Sequence, residues 1–234
     1  MTIANIKTAL RRTASKEQAR VLQGFFKTGP GEYGEGDIFI GVKVPAIRTV
    51  VKEHKDLALK DTLTILRSPI HEERLLALLI LVLKYAKESV ATQEKIYKTY
   101  LKNTRYINNW DLIDLTAHHI VGAYLSDKDK KPLYKLARSK DLWEKRISIL
   151  ATFHYIRNGK FSDSLKVSKI LLKDDHDLIH KAVGWMLREI GKRDMQAEEN
   201  FLKKHYKTMP RTMLRYAIER FPEKKSLSYL HGKI

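Results

Sequence analysis

The chain repeats itself about every 35 residues, and that period leaves few folds open. Segments beginning at Glu73, Asn109, Lys145, His180 and Leu214 fall into one phase. Their second positions, Arg74, Trp110, Arg146, Lys181 and Arg215, are separated by 36, 36, 35 and 34 residues. Such a period holds two helices and their turns, and neither helix can bury its apolar face without the next pair. Apolar residues recur at helical spacing almost throughout, strand-like alternation is nearly absent, and Pro and Gly number only 6 and 11. Helices are expected over about 3–27, 45–54, 56–67, 70–86, 89–104, 109–125, 130–138, 141–158, 162–172, 177–192, 195–207, 210–220 and 223–230.

The reading is an all-α, HEAT-like helical-repeat solenoid, one domain over residues 1–234, with a basic concave face. In a stack of helix pairs every second helix lines the concave side. Four of the five anchors (Arg74, Arg146, Lys181, Arg215) are basic, so a positive stripe is expected there, as a duplex requires. Four residues beyond each anchor stand Leu78, Asp114, Leu150, Trp185 and Glu219. Arg188 follows Trp185 by three positions, on the same helix face. Trp110, Asp114, Arg146, Trp185 and Arg188 are therefore expected to converge.

Charge points the same way. Lys and Arg number 45 against 27 Asp and Glu, a net +18 that calls for a polyanionic partner. The longest apolar run, Leu75–Leu83, is too short to span a bilayer, and residues 1–14 lack the apolar run of a secretion signal. With no cysteine, thiolate metal sites, iron–sulfur clusters and cysteine nucleophiles are excluded. A cytoplasmic protein of the bacterial cytosol or nucleoid, monomeric and without a cofactor, is the expectation.

The stretch Asn108-Asn109-Trp110-Asp111-Leu112-Ile113-Asp114 carries the chemistry. Asn109 or Asn108 can cap the helix, and Asp111 reads as a helix-start acid. Trp110 and Asp114 are four apart and share a face, where an indole and a carboxylate both stabilise a cation. Other motifs fail. Gly29-Pro30-Gly31-Glu32-Tyr33-Gly34 fits G-x-G-x-x-G in letters only: no strand precedes it, no helix opens at its third glycine, and two glutamates would repel a pyrophosphate. Residues 28–44 read as a loop, with Pro45 at a helix start. His118-His119 lacks helical zinc spacing.

Several stretches together resemble the DNA alkylation repair proteins, the AlkD-like DNA glycosylases built from HEAT-like repeats. They are Gly34–Pro45, His71-Glu72-Glu73-Arg74, Asn109–Asp114, Trp143-Glu144-Lys145-Arg146 and Lys181–Glu189, spanning roughly 20–220. The resemblance implies a monofunctional glycosylase that removes positively charged N3- and N7-alkylpurines from duplex DNA without extruding the base. Trp110 and Trp185 would be aromatic walls, Asp114 the catalytic carboxylate, and Arg146 and Arg188 the grip on phosphate. Some relatives carry a tyrosine on the first helix facing the lesion strand. Here Phe25 or Phe26 stands in its place, without the hydroxyl.

Such a substrate suits the residues. A cationic alkylpurine leaves as a neutral base and needs no general acid, so stabilising an oxocarbenium-like sugar and presenting water remain. Two rival readings stand beside the enzyme: a non-catalytic protein that binds damaged or branched DNA, and a protein–protein scaffold.

Overall fold

The computed structural model describes residues 2–234, which divide into two compact units, the first ending at Thr116 and the second spanning Ala117–Ile234. The first unit holds α1 (Ile3–Arg11), α2 (Lys16–Phe25), α3 (Val44–Glu53), α4 (Leu59–Leu66), α5 (His71–Lys87), α6 (Val90–Lys102) and α7 (Trp110–Asp114). The second opens on a π-helical turn, His118–Gly122. It continues with α8 (Lys131–Ala137), α9 (Leu142–Ala151), α10 (Phe153–Arg157), α11 (Ser162–Ile170), α12 (Asp177–Gly191), α13 (Met195–His205), α14 (Arg211–Ala217) and α15 (Glu223–Leu230). The fold class is all-α helical repeat, and the anchors at 74, 110, 146, 181 and 215 fall on α5, α7, α9, α12 and α14. No helix among the described residues is long and apolar enough to cross a membrane.

Each unit has one helix at its centre. In the first it is α5, packed by α3, α4, α6 and α7. Leu75 to Leu81 are buried on every side, which is why its sequence shows an apolar run rather than a stripe. In the second it is α12, against α9, α11, α13 and α14. There Ile179, Ala182, Val183, Met186, Leu187 and Ile190 form the buried face. Burial of each Val, Leu, Ile or Met side chain among them contributes roughly 1.5–3 kcal/mol.

Three expected helices are shorter than their periodicity suggests. The segment 3–27 breaks at 12–15, where the Thr13 hydroxyl donates to the Leu10 carbonyl (3.1 Å) and Ser15 caps α2 by accepting from the Gln18 amide (3.3 Å). The segment 109–125 is interrupted at 115–116 and resumes over 117–124 with the π-helical turn. The Thr116 hydroxyl donates back to the Leu112 carbonyl, and its amide reaches Ile113 O (3.0 Å) instead of continuing the ladder. At Thr152 the hydroxyl and the amide both reach Ile149 O (2.6 and 3.1 Å), dividing 141–158 into α9 and α10. Threonine hydroxyls competing with the main chain explain all three interruptions.

Candidate functional site

The first turn of α5 holds the first unit's polar core. His71, Glu72, Glu73 and Arg74 point to all sides of a helix that is buried all round, so each must find a partner. Glu73 takes Lys7 and Arg11 of α1 (both 2.8 Å) and the Ser68 hydroxyl (2.6 Å). Glu72 accepts the amides of Ile40, Gly41 and Val42 (nearest 3.1, 2.8 and 3.2 Å), fixing the end of the 28–43 loop. Gly41 has φ +81°, and a Cβ there would lie 2.0 Å from Ser15 O, so only glycine lets this loop pass the start of α2. Arg74 pairs with Asp37 of the loop and donates to the carbonyls of Ser68 and Pro69 (both 3.2 Å).

His71 ties this cluster to α7. Its Nδ1 donates to Asp37 (3.0 Å) and its Nε2 to Asp111 (2.9 Å). Burial alone would lower the imidazole pKa; the carboxylates of Asp111 and Asp37 outweigh it and raise it to about 9. The ring is therefore an imidazolium at neutral pH, with both N–H groups engaged. Burial would raise the Asp37 carboxyl, but His71, Arg74 and Asn109 hold it below the ordinary carboxylate range. Asn109 supplies the cap of α7: its side-chain oxygen accepts the Trp110 amide (2.8 Å), while its Nδ2 donates to Asp37 (3.1 Å). Asp111 thus does more than start a helix; it is the carboxylate through which α5 holds α7.

The network fixes an aromatic stack. Phe39 lies over the His71 ring (4.4 Å, 23°), Phe26 stacks on Phe39 (4.9 Å, 20°), and Trp110 stacks on Phe26 (4.9 Å, 18°). Phe26 is buried inside this stack. Phe25 is not: the residue is 62% exposed, and its ring meets Trp110 edge-on at 5.8 Å. Of the two phenylalanines, Phe25 is the one that can face a ligand. Asp114, four residues after Trp110, is half-buried. Burial, and after it the charge of Asp114, push the Tyr100 hydroxyl up, and that hydroxyl bonds Thr116 (2.9 Å).

In the second unit, Lys181, Trp185 and Arg188 lie along α12. Gly184 sets Trp185 in place: a Cβ there would come 2.4 Å from Met213 O and 2.5 Å from Tyr216 Cβ, so its absence lets α12 lie close on α14. Trp185 is half-buried, 6.1 Å from the Phe153 ring. Arg188 pairs with Glu219, while its buried Nε finds no acceptor among the described residues. Lys181 forms an exposed pair with Asp177 (2.7 Å), and Arg215 is exposed on α14.

Two of the five anchors do not fit the expected surface stripe. Arg74 is 4% exposed, and its guanidinium is taken up by Asp37 and two carbonyls, out of reach of a phosphate. Arg146 is 5% exposed and donates from Nη1 to Leu178 O in the first turn of α12 (2.6 Å). Shared sign at the anchor positions therefore hides two different roles. Lys181, Arg188 and Arg215 stay within reach of solvent, whereas Arg74 and Arg146 sit inside. The literal glycine motif is closed as well: Glu32 takes the Gly29 amide and Glu35 the Gly31 amide (both 2.9 Å), so the amides a phosphate would need are occupied.

These features define a class, an all-α helical-repeat protein whose second helices carry aromatic, acidic and cationic side chains. Residues 6–221 match the model of the DNA alkylation repair enzyme family, and the chain belongs to that family. Its role lies in the repair of alkylated DNA. A solved structure from Enterococcus faecalis, described as a predicted DNA alkylation repair enzyme, is similar in fold. It has a TM-score of 0.69 and 14% identity, covering 90% of this chain and 98% of its own. No curated protein matches the chain.

Proposed function

We propose that the protein is a monofunctional DNA glycosylase that releases positively charged N3- and N7-alkylpurines from duplex DNA. The observation that carries this reading is Trp110 and Asp114 on one short helix whose start is clamped by the buried Asp37–His71–Asp111 bridge. A carboxylate and an indole one turn apart suit a sugar that becomes cationic as the base departs.

In the proposed step the C1′–N bond breaks and its electron pair leaves with the purine, which departs neutral. Asp114 offsets the charge on the oxocarbenium-like sugar and orients water for attack at C1′, taking the proton that water loses. Trp110 adds cation–π and C–H contacts to the deoxyribose, worth about 0.5–2 kcal/mol. Phe25, exposed beside it, widens the aromatic surface. From the second unit, Trp185 contributes an aromatic contact to the DNA, and Arg188, Lys181 and Arg215 contact its phosphates. Arg146 supports the start of α12 from beneath. The chemistry calls on no cofactor, and neutral lesions, which need protonation to leave, are poor substrates.

The direct test is incubation of the purified protein with methylated duplex DNA and chromatography of the free bases. Release of 7-methylguanine and 3-methyladenine is expected. Tight binding to the same DNA with no base released would overturn the reading in favour of a non-catalytic protein that recognises damaged or branched DNA.

A further inference from the structure

With Arg74 and Arg146 buried, the net charge of +18 must be displayed elsewhere. One concentration of it lies in the first unit, in a groove of about 360 Å³ between α4 and α6. Leu59 and Leu63, one turn apart on α4 and half-buried, supply its apolar lining. Lys60 and Arg67 stand along one side and Lys95 on the other, with two threonines completing the lining and no acid among them. The three cations face solvent, and none pairs with a carboxylate among the described residues. A groove of about 440 Å³ in the second unit, between α8 and α11, makes the contrast. There Asp163, beside the lining, takes the Tyr134 hydroxyl and lies 4.0 Å from Lys166, so one of that groove's three cations has a counter-charge.

We propose that the α4–α6 groove docks an acidic, leucine-bearing segment of a partner protein. Clustered cations without internal partners call for an anionic ligand. The leucines distinguish which anion: half-exposed apolar side chains in a concave site favour a ligand that also brings apolar groups, and a phosphate backbone brings none. A helix with Leu at i and i+4 and Asp or Glu on the flanking positions satisfies both features, in the manner of helix-in-groove recognition. This site is independent of the proposed glycosylase chemistry.

The test uses the full chain and three probes at about 0.15 M salt, where long-range attraction is screened beyond roughly 8 Å. The probes are a labelled peptide of about 12 residues with Leu at i, i+4 and i+7 among glutamates, a poly-Glu peptide of the same length, and an undamaged duplex. The leucine peptide is expected to bind more tightly than poly-Glu. Leu63→Ser, or Leu59→Ser should the first variant fold poorly, weakens the leucine peptide and leaves poly-Glu and duplex binding unchanged. The triple variant Lys60→Gln, Arg67→Gln, Lys95→Gln weakens the leucine peptide by about tenfold, as three modest surface charges imply. The proposal is overturned if poly-Glu binds as tightly as the leucine peptide, or if neither leucine variant affects binding; the groove is then surface charge alone. It is equally overturned if the triple variant weakens the duplex as much as the peptide, which would make this face part of the DNA surface.

Discussion

The buried bridge from Asp37 through His71 to Asp111 gives the structure a pH signature that His71→Gln should remove. An unfolded histidine titrates near 6.5, whereas in the fold the two carboxylates overcome burial and hold it to about 9. That gap corresponds to about 3 kcal/mol of stability, at roughly 1.4 kcal/mol per pH unit. The folded pKa is the higher one, so the contribution is complete below about pH 6.5 and erodes as pH rises through the folded value near 9. The substituted amide would keep hydrogen-bonding capacity without the charge. Asp37 would still have Arg74 and Asn109, while Asp111 would lose its cation. Urea unfolding of both proteins, followed by circular dichroism from pH 6 to 10, measures the effect. The variant should be less stable by about 3 kcal/mol near pH 6, and the difference should shrink toward zero at pH 10. A difference that stays constant across this range would refute the assignment of a bridging imidazolium.

Glu198 is buried, its carboxyl pushed up to about 8 mainly by burial and next by Glu199. The unfolded carboxyl ionises near 4.5 and the folded one only near 8, so the fold loses stability as pH rises between those values; Glu198→Gln should stabilise the fold by about 2–4 kcal/mol at pH 9 and change little at pH 5, as read by the same unfolding curves. Gly184→Ala places a methyl group against the α14 backbone and should destabilise by about 1–3 kcal/mol, lowering the thermal midpoint by several degrees in calorimetry. Arg188→Ala should weaken duplex binding uniformly across sequences and reduce the slope of log affinity against log salt by about one; an unchanged slope removes it from the phosphate contacts.

The period of the helix pairs was legible because stacking forces a repeated apolar face, and the anchors at 74, 110, 146, 181 and 215 all land on the second helices. The position of Trp110 and Asp114 one turn apart on α7 also follows directly from their spacing. What the residues alone concealed was pairing across the chain. Arg74 reads as one more surface cation because its partner, Asp37, lies in a loop whose path is set by Glu72 and Gly41, not by periodicity. Asp111 reads as a helix-start acid for the same reason, its His71 partner lying on another helix. A signal was present. Four consecutive polar residues, His71-Glu72-Glu73-Arg74, precede the most apolar run in the chain. A helix buried on all sides by that run must bury those four as well, and each then requires a counterpart. The helix breaks at Thr116 and Thr152 were hidden differently, since a threonine within a periodic segment carries no mark of whether its hydroxyl will turn back on the main chain.

The central claim is that the Asp114 carboxylate performs the chemistry. Single-turnover release of 7-methylguanine from duplex DNA, measured for wild type and Asp114→Asn alongside their affinities for that DNA, tests it most directly. The account predicts release slowed by about 100-fold or more, the scale of a lost transition-state contact, with affinity unchanged within about threefold. Release by the asparagine variant at close to the wild-type rate would contradict it.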